Sequence, residues 1–233
     1  MPAETLHDLR PVLSQLNITT ETQFAQLVGY CELVEKWNKH FNLVSRNDVH
    51  RLPRRHVLDS LSGVTLLGPG SVLDIGSGAG LPGMILAIAL PQQPFVLLDR
   101  HARKVRFLQQ TVTTLGLANV QVQAQDLSAE GTWVAEHRNT FGNVVSRAVT
   151  HLTGLCQLGL PLLGPHGRLV AYTATGTDNE ELDRELASLQ KIQQQMTLYR
   201  FDPSAQPILE AVDSLTPGAA TLVQIQAGDL CAS

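Results

Sequence analysis

Asp74-Ile75-Gly76-Ser77-Gly78-Ala79-Gly80-Leu81-Pro82-Gly83 follows the apolar Val72-Leu73 and precedes an apolar segment of helical length. An acid, alternating glycines and a proline in that order read as a strand, a tight turn and a helix start. Glycine lacks a Cβ, so backbone in such a turn can approach a ligand closely, and the following helix aims its N–H groups at the same place. Dinucleotide turns are spaced G-x-G-x-x-G. Here the spacing is G-x-G-x-G, no lysine adjoins the glycines, and no GKS or GKT follows. These residues suit a ligand without phosphate.

Two further acids extend the pattern. Phe95-Val96-Leu97-Leu98-Asp99 reads as a strand ending in an acid, and Val120–Val122 as a strand leading to Asp126 and Leu127. Acids at three successive strand ends would form one row along the carboxyl edge of a parallel sheet, where open α/β sheets bind ligands. Asp99 would accept from a ribose diol and Asp126 from an adenine amino group. Asp74 would organise backbone N–H groups or face a cation. S-adenosylmethionine carries a ribose, an adenine and a sulfonium, and fits this set. The competing reading is that the acids only cap turns. No CxxC, HxxxH or HExxH spacing is present, so no metal is expected.

The surrounding elements follow from apolar periodicity. Leu6, Leu9, Leu13 and Leu16 mark one helix face. Phe24, Leu27, Val28, Cys31, Val34 and Trp37 mark a second, with Thr20 as its N-cap. Val57, Leu58, Leu61 and Val64 predict a third helix, and Gly68-Pro69-Gly70 breaks the chain. Short strands then alternate with helices. After the elements already named, a helix over 105–115 stops at Gly116, and strands are expected at 143–146 and 168–172. Helices are expected over 151–163 and 180–194, and an antiparallel pair over 196–201 and 220–226. This order predicts an α/β fold with a mostly parallel sheet and helices on both faces. Residues 1–68 would form an N-terminal helical extension and residues 69–233 the ligand-binding domain.

Bulk composition narrows the class. The chain has 233 residues, 43% hydrophobic and 16% charged, with a net charge of −4. No apolar run is long enough to span a membrane, and the first residues lack a signal pattern. Three cysteines far apart suggest neither a zinc site nor a disulfide framework, so a soluble, cytoplasmic protein is expected. The net charge argues against a generic polyanion binder. Yet Arg46, Arg51, Arg54 and Arg55 cluster before the glycine turn, and Arg100, Arg103, Lys104 and Arg106 after it. These are either a local basic face or two solvated helix faces.

From Val72 to Asp126 the chain resembles the class I S-adenosylmethionine-dependent methyltransferases, whose fold is Rossmann-like with a seven-stranded sheet. More narrowly it resembles the RsmG (GidB) family, which methylates guanine N7 in small-subunit (16S) ribosomal RNA. The likeness rests on Lys36-Trp37-Asn38-Lys39-x-Phe41-Asn42-Leu43, Arg55-His56-x-x-Asp59-Ser60, the glycine turn with Leu81-Pro82-Gly83, Leu98-Asp99, Lys104-x-Arg106-Phe107-Leu108 and Ser146-Arg147-Ala148. The resemblance implies a cofactor site of Gly76, Ser77, Gly78, Gly80 and Asp99, to which the strand-end reading adds Asp74, Arg100, Asp126 and Leu127. It implies that Arg147 lies near the methyl-transfer centre. Arg55, His56, Asp59 and Ser60 would line the cleft between cofactor and substrate.

The chain also departs from the family. Gln125-Asp126 stands where an arginine is usual, Thr173 where a lysine follows the fifth strand, and the terminal strand carries no basic residue. Phosphate contacts supply much of nucleic-acid affinity, so these losses bear on the acceptor. Either ribosomal RNA is held by the two arginine clusters, or a diverged enzyme N-methylates a small heteroaromatic molecule. A cofactor-binding regulator without catalysis is a third reading. Guanine N7 needs no strong base, so positioning is the main task. Arg147 would donate to O6 or a phosphate, with His56 and Asp59 as further catalytic candidates and Arg55 and Thr173 on the substrate side.

Overall fold

The computed structural model describes residues 6–16, 18–46, 48–147, 151–173, 184–185, 187–189, 197–201 and 222–226. Helices α1 (Arg10–Gln15) and α2 (Glu21–Asn38) come first. Thr20 caps α2 as expected: its side chain accepts from Gln23 N–H, and Gln23 Oε1 accepts in return from Thr20 N–H. Such a box adds about 1 kcal/mol. The Gln23 carboxamide also donates to Ile88 and Ala89 carbonyls, so the cap ties α2 to a helix of the later fold.

The single helix expected around Val57–Val64 is instead a run of short turns. A 3-10 turn (Val49–Arg51) leads into a π-helical turn (Leu52–Val57), helix α3 (Leu58–Leu61) and a second 3-10 turn (Val64–Leu66). Pro53 has no N–H to continue a helical ladder. At the other end, the Tyr172 hydroxyl fills the place a Cβ on Gly63 would take. Apolar spacing reports the buried face but not these interruptions.

Strands β1 (Val72–Ile75), β2 (Phe95–Asp99), β3 (Val120–Ala124), β4 (Phe141–Arg147), β5 (Leu163–Tyr172), β6 (Thr197–Phe201) and β7 (Leu222–Gln226) are joined by α4 (Gly83–Ala89), α5 (Ala102–Leu115), α6 (Thr132–Glu136) and α7 (Leu152–Gly159). Among the described residues they lie in one sheet, ordered β3-β2-β1-β4-β5-β7-β6. The first five pair parallel and the last two join antiparallel. Gly116 ends α5 in the left-handed conformation, as its sequence position predicts. Helix α7 stops at Gly159 and a 3-10 turn with Pro161 leads into β5, which starts five residues earlier than Arg168. Most of the expected helix over 180–194 lies outside the described residues.

Side chains alternate across the sheet and divide the core in two. Val72 joins the cluster formed by α2, α4 and α5, whereas Leu73 and Ile75 join the one formed with α7 and β5. The helices before residue 68 therefore share one apolar cluster with one face of the sheet. Each fully buried leucine or phenylalanine there contributes about 1.5–3 kcal/mol.

Candidate active site

The glycine turn follows β1, and its geometry requires glycine. Gly76, Gly78 and Gly80 have φ of 72°, 59° and 87°. A Cβ on Gly78 would meet nothing closer than 3.8 Å, so that strand-to-helix turn leaves open room for a ligand. Ser77 N–H donates to Leu98 O at 2.8 Å and Gly78 N–H to Asp99 Oδ2 at 3.0 Å, which fastens the turn to the end of β2. Tyr30, fully buried on α2, donates to Ala79 O at 2.8 Å from the other side. Its burial raises the phenol pKa, so the hydroxyl stays a donor.

Asp74 and Asp99 do different work. Asp99 ends β2, is 4% exposed, and also accepts from His101 N–H at 2.8 Å. Lys104 Nζ stands 3.8 Å from its Oδ2. His101 Nδ1 stands 3.1 Å from Oδ1 as well, so Oδ2 is the oxygen with acceptor capacity left for a ribose hydroxyl. Asp74 lies inside β1 and is fully buried, and its Oδ2 accepts from Gly83 N–H at 2.9 Å. A Cβ on Gly83 would come within 2.5 Å of that oxygen, so only glycine admits the contact. Burial pushes the Asp74 carboxyl up to about 7, against the hydrogen bonds from Ser77 and Gly83. Its Oδ1 is buried and accepts no hydrogen bond.

The three acids do not form the expected row. Asp74 pairs in register with Leu97, two residues before Asp99, and it is withdrawn beneath α4. Strand β3 ends at Ala124, so Asp126 follows in the loop, 73% exposed and 4.0 Å from Arg100. Leu127 is half-buried and packs against the core cluster on the α7 face.

A second group gathers where β4 ends. Arg147 Nη2 stands 2.8 Å from Asp59 Oδ2, with the carboxylate side chain 1% and the guanidinium 19% exposed. Ser146 Oγ donates to Ile75 O at 2.7 Å, joining β4 to β1, and Tyr172 Oη donates to Ser60 O at 2.7 Å, mooring α3 at the carboxyl end of β5. Arg147 Nη1 is buried without a hydrogen-bond partner, as are both ring nitrogens of His56. Burial, then the Arg147 charge, lowers the His56 pKa to about 4, so the ring is neutral at physiological pH. Asp59, expected at the reacting atoms, instead lies beneath Arg147 and holds it. Arg55 is drawn to Asp48 at 2.9 Å, and Thr173 directly follows β5. Trp37 packs on Phe107 at 5.6 Å between ring centroids, as a core residue.

A family model described as rRNA small subunit methyltransferase G matches residues 23–204. The chain belongs to that family. The ribosomal RNA small subunit methyltransferase G of Nitrosococcus oceani is 40% identical over 151 residues, 65% of this chain and 68% of that protein. The protein of the same name from Francisella tularensis subsp. novicida is 34% identical over 182 residues, 78% of this chain and 83% of that protein. The plantazolicin methyltransferase BpumL, solved with SAH, superposes with a TM-score of 0.56 at 13% identity, over 85% of this chain and 95% of that one. That last likeness shows the fold. As a member of the methyltransferase G family the chain is an enzyme, and its methyl donor is S-adenosylmethionine.

The residues present fit that donor. Its α-ammonium would satisfy the orphaned Asp74 Oδ1, the open glycine turn would carry its backbone-facing atoms, and Asp99 would receive its ribose. Among the described residues no cluster of three metal-ligating side chains occurs, and no helix is long and apolar enough to cross a membrane. Sequence reasoning missed Tyr30 and Tyr172, because a buried hydroxyl that serves a distant carbonyl leaves no local signature.

Proposed function

We propose that the enzyme methylates N7 of a guanine in small-subunit ribosomal RNA. The observation that carries this reading is Arg147 Nη1, a buried donor without a partner at the carboxyl edge of the sheet, on a guanidinium anchored by Asp59. An arginine donor matches the O6 and N7 edge of guanine. Bound S-adenosylmethionine supplies an electrophilic methyl group. Guanine N7 already carries a lone pair, so the protein removes no proton before the bond forms.

Arg147 then orients the base through O6, and Asp59 keeps the guanidinium in its rotamer. His56, neutral and with both ring nitrogens free to bond, contacts the base or its ribose. Holding nucleophile and methyl carbon in line accounts for about 7–11 kcal/mol of such a barrier. Arg55 and Thr173 belong to the acceptor side of the cleft, and Arg100, Asp126 and Leu127 to the adenine side. We read the sheet as the seven-stranded class I sheet, and residues 1–68 as an extension that clamps the turn of a domain spanning 69–233. Tyr30 and Gln23 support that clamp.

The test incubates the protein and labelled S-adenosylmethionine with unmethylated small subunits or with free purines. Label recovered from the RNA as 7-methylguanine supports the reading. Label confined to small molecules, or none at all, overturns it.

A further inference from the structure

Phe41 is the one large apolar side chain exposed among the described residues, at 37%. Its presentation is built. Asn38, the last residue of α2, turns its carboxamide oxygen back to accept from Leu43 and Val44 N–H at 2.7 and 3.0 Å. Phe41 N–H donates to Trp37 O at 2.9 Å, and its ring leans on Trp37 at 5.5 Å. The Arg103 guanidinium, from the first turn of α5, lies 5.5 Å from the Phe41 ring centroid. The next residue, Lys104, reaches Asp99 and so adjoins the glycine turn.

The charge around this ring is not typical of the chain. Of 17 lysines and arginines, ten fall between Lys36 and Arg106. Lys36, Lys39, Arg46, Arg51, Arg54, Arg100, Arg103 and Arg106 are exposed in the structure. Helix α2 packs on α5 and on both short turns over 49–57, so it joins the segments that carry the two arginine clusters. A chain of net charge −4 thus concentrates exposed cations in the segments around an exposed aromatic ring.

We propose that Phe41 and Arg103 form a stacking site for an unpaired base of single-stranded RNA, with the neighbouring cations tracking its phosphates. This rests on the RNA acceptor proposed above. Aromatic rings set in a cationic groove are how proteins hold single strands, because every base has a π-face and every linkage a charge. The site replaces the cations missing at Gln125, Thr173 and the terminal strand, and it engages RNA beside the donor rather than across the sheet.

The experiment measures KM for small subunits and the dissociation constant for S-adenosylhomocysteine in Phe41→Leu, Phe41→Tyr and Arg103→Ala. Leucine keeps the apolar contact with Trp37 and removes the ring, whereas tyrosine keeps both. Phe41→Leu should raise the RNA KM about ten-fold, Phe41→Tyr should restore it, and the product-analogue affinity should not move. Arg103→Ala should also flatten the dependence of RNA binding on salt. Wild-type transfer to RNA with an unchanged KM in Phe41→Leu overturns the stacking site and leaves the acceptor reading intact. Absence of wild-type transfer to RNA overturns both.

Discussion

Replacing Asp74 with asparagine should make the ligand-free enzyme more stable at pH 8 while weakening its grip on the methyl donor. The carboxyl titrates at about 7 in the folded chain and near 3.8 when exposed. The folded state therefore holds the proton more tightly, and between those two values it binds more protons than the unfolded chain. Stability contributed by this group falls as pH rises through that window. At about 1.36 kcal/mol per pH unit, the full cost of ionising Asp74 in place is about 4 kcal/mol at pH 8. An asparagine keeps the acceptor for Gly83 N–H and puts an amide where Oδ1 lies, at a cost of about 1–3 kcal/mol for its unpartnered donors.

The net gain is about 2 kcal/mol at pH 8, or about 4–8 °C in melting temperature for a chain of this size. At pH 5 the cost of Asp74 has fallen to about 1.5–2 kcal/mol, which the asparagine's own cost offsets, and the gain should vanish. Thermal melts of ligand-free wild type and Asp74→Asn at the two pH values give the difference free of other titrations. Calorimetric titration with S-adenosylhomocysteine should show about ten-fold weaker binding, since a charge-assisted hydrogen bond to the ammonium is lost. A gap between the two proteins that is equal at pH 5 and pH 8 would refute the account of Asp74. So would unchanged ligand affinity.

Four further substitutions probe the rest of the site. Asp59→Asn leaves the Arg147 guanidinium without its counter-charge and should cost about 2–4 kcal/mol in denaturant unfolding, discounted because Arg147 is partly exposed. Arg147→Lys should lower turnover at least about ten-fold with donor affinity unchanged; parallel losses in both would mean that Arg147 serves the donor. His56→Gln should reduce the loss of stability between pH 6.5 and pH 4, because the folded imidazole resists protonation until about 4; acid unfolding curves that coincide with wild type would exclude this. Gly78→Ala forces a side chain into left-handed backbone at about 1–2 kcal/mol, and its Cβ enters the open turn, so donor affinity measured by calorimetry should fall further than melting temperature alone accounts for.

Much of this site can be read from the amino-acid order because its signals are local. Glycines at alternate positions after an apolar pair announce the turn, Thr20 with Gln23 announces a helix start, and Asp99 announces a strand end. What could not be read depends on distant partners. Asp74 and Asp59 are residues that by default sit in water, and their burial goes with partners such as Gly83 in one case and Arg147 in the other. The run from Val57 to Val64 looks like one helix because periodicity records which side is buried. Its interruption at Gly63 is set by Tyr172, more than a hundred residues later. Phe41 carries no local sign of a binding residue, because the arginine over its ring comes from another helix.

The strand order has a consequence for synthesis. Strand β6 leaves the ribosome before β7, yet it reaches the sheet only through β7, which pairs with β5 on its other side. A nascent chain can therefore zip β3-β2-β1-β4-β5, glycine turn included, while the flank of β5 lies open. That flank belongs to a strand whose Leu169, Val170 and Ala171 are buried in the finished fold. Open apolar strand edges recruit other chains. The donor half of the enzyme is thus assembled early, and its exposure to aggregation lasts until residues 222–226 arrive to close it.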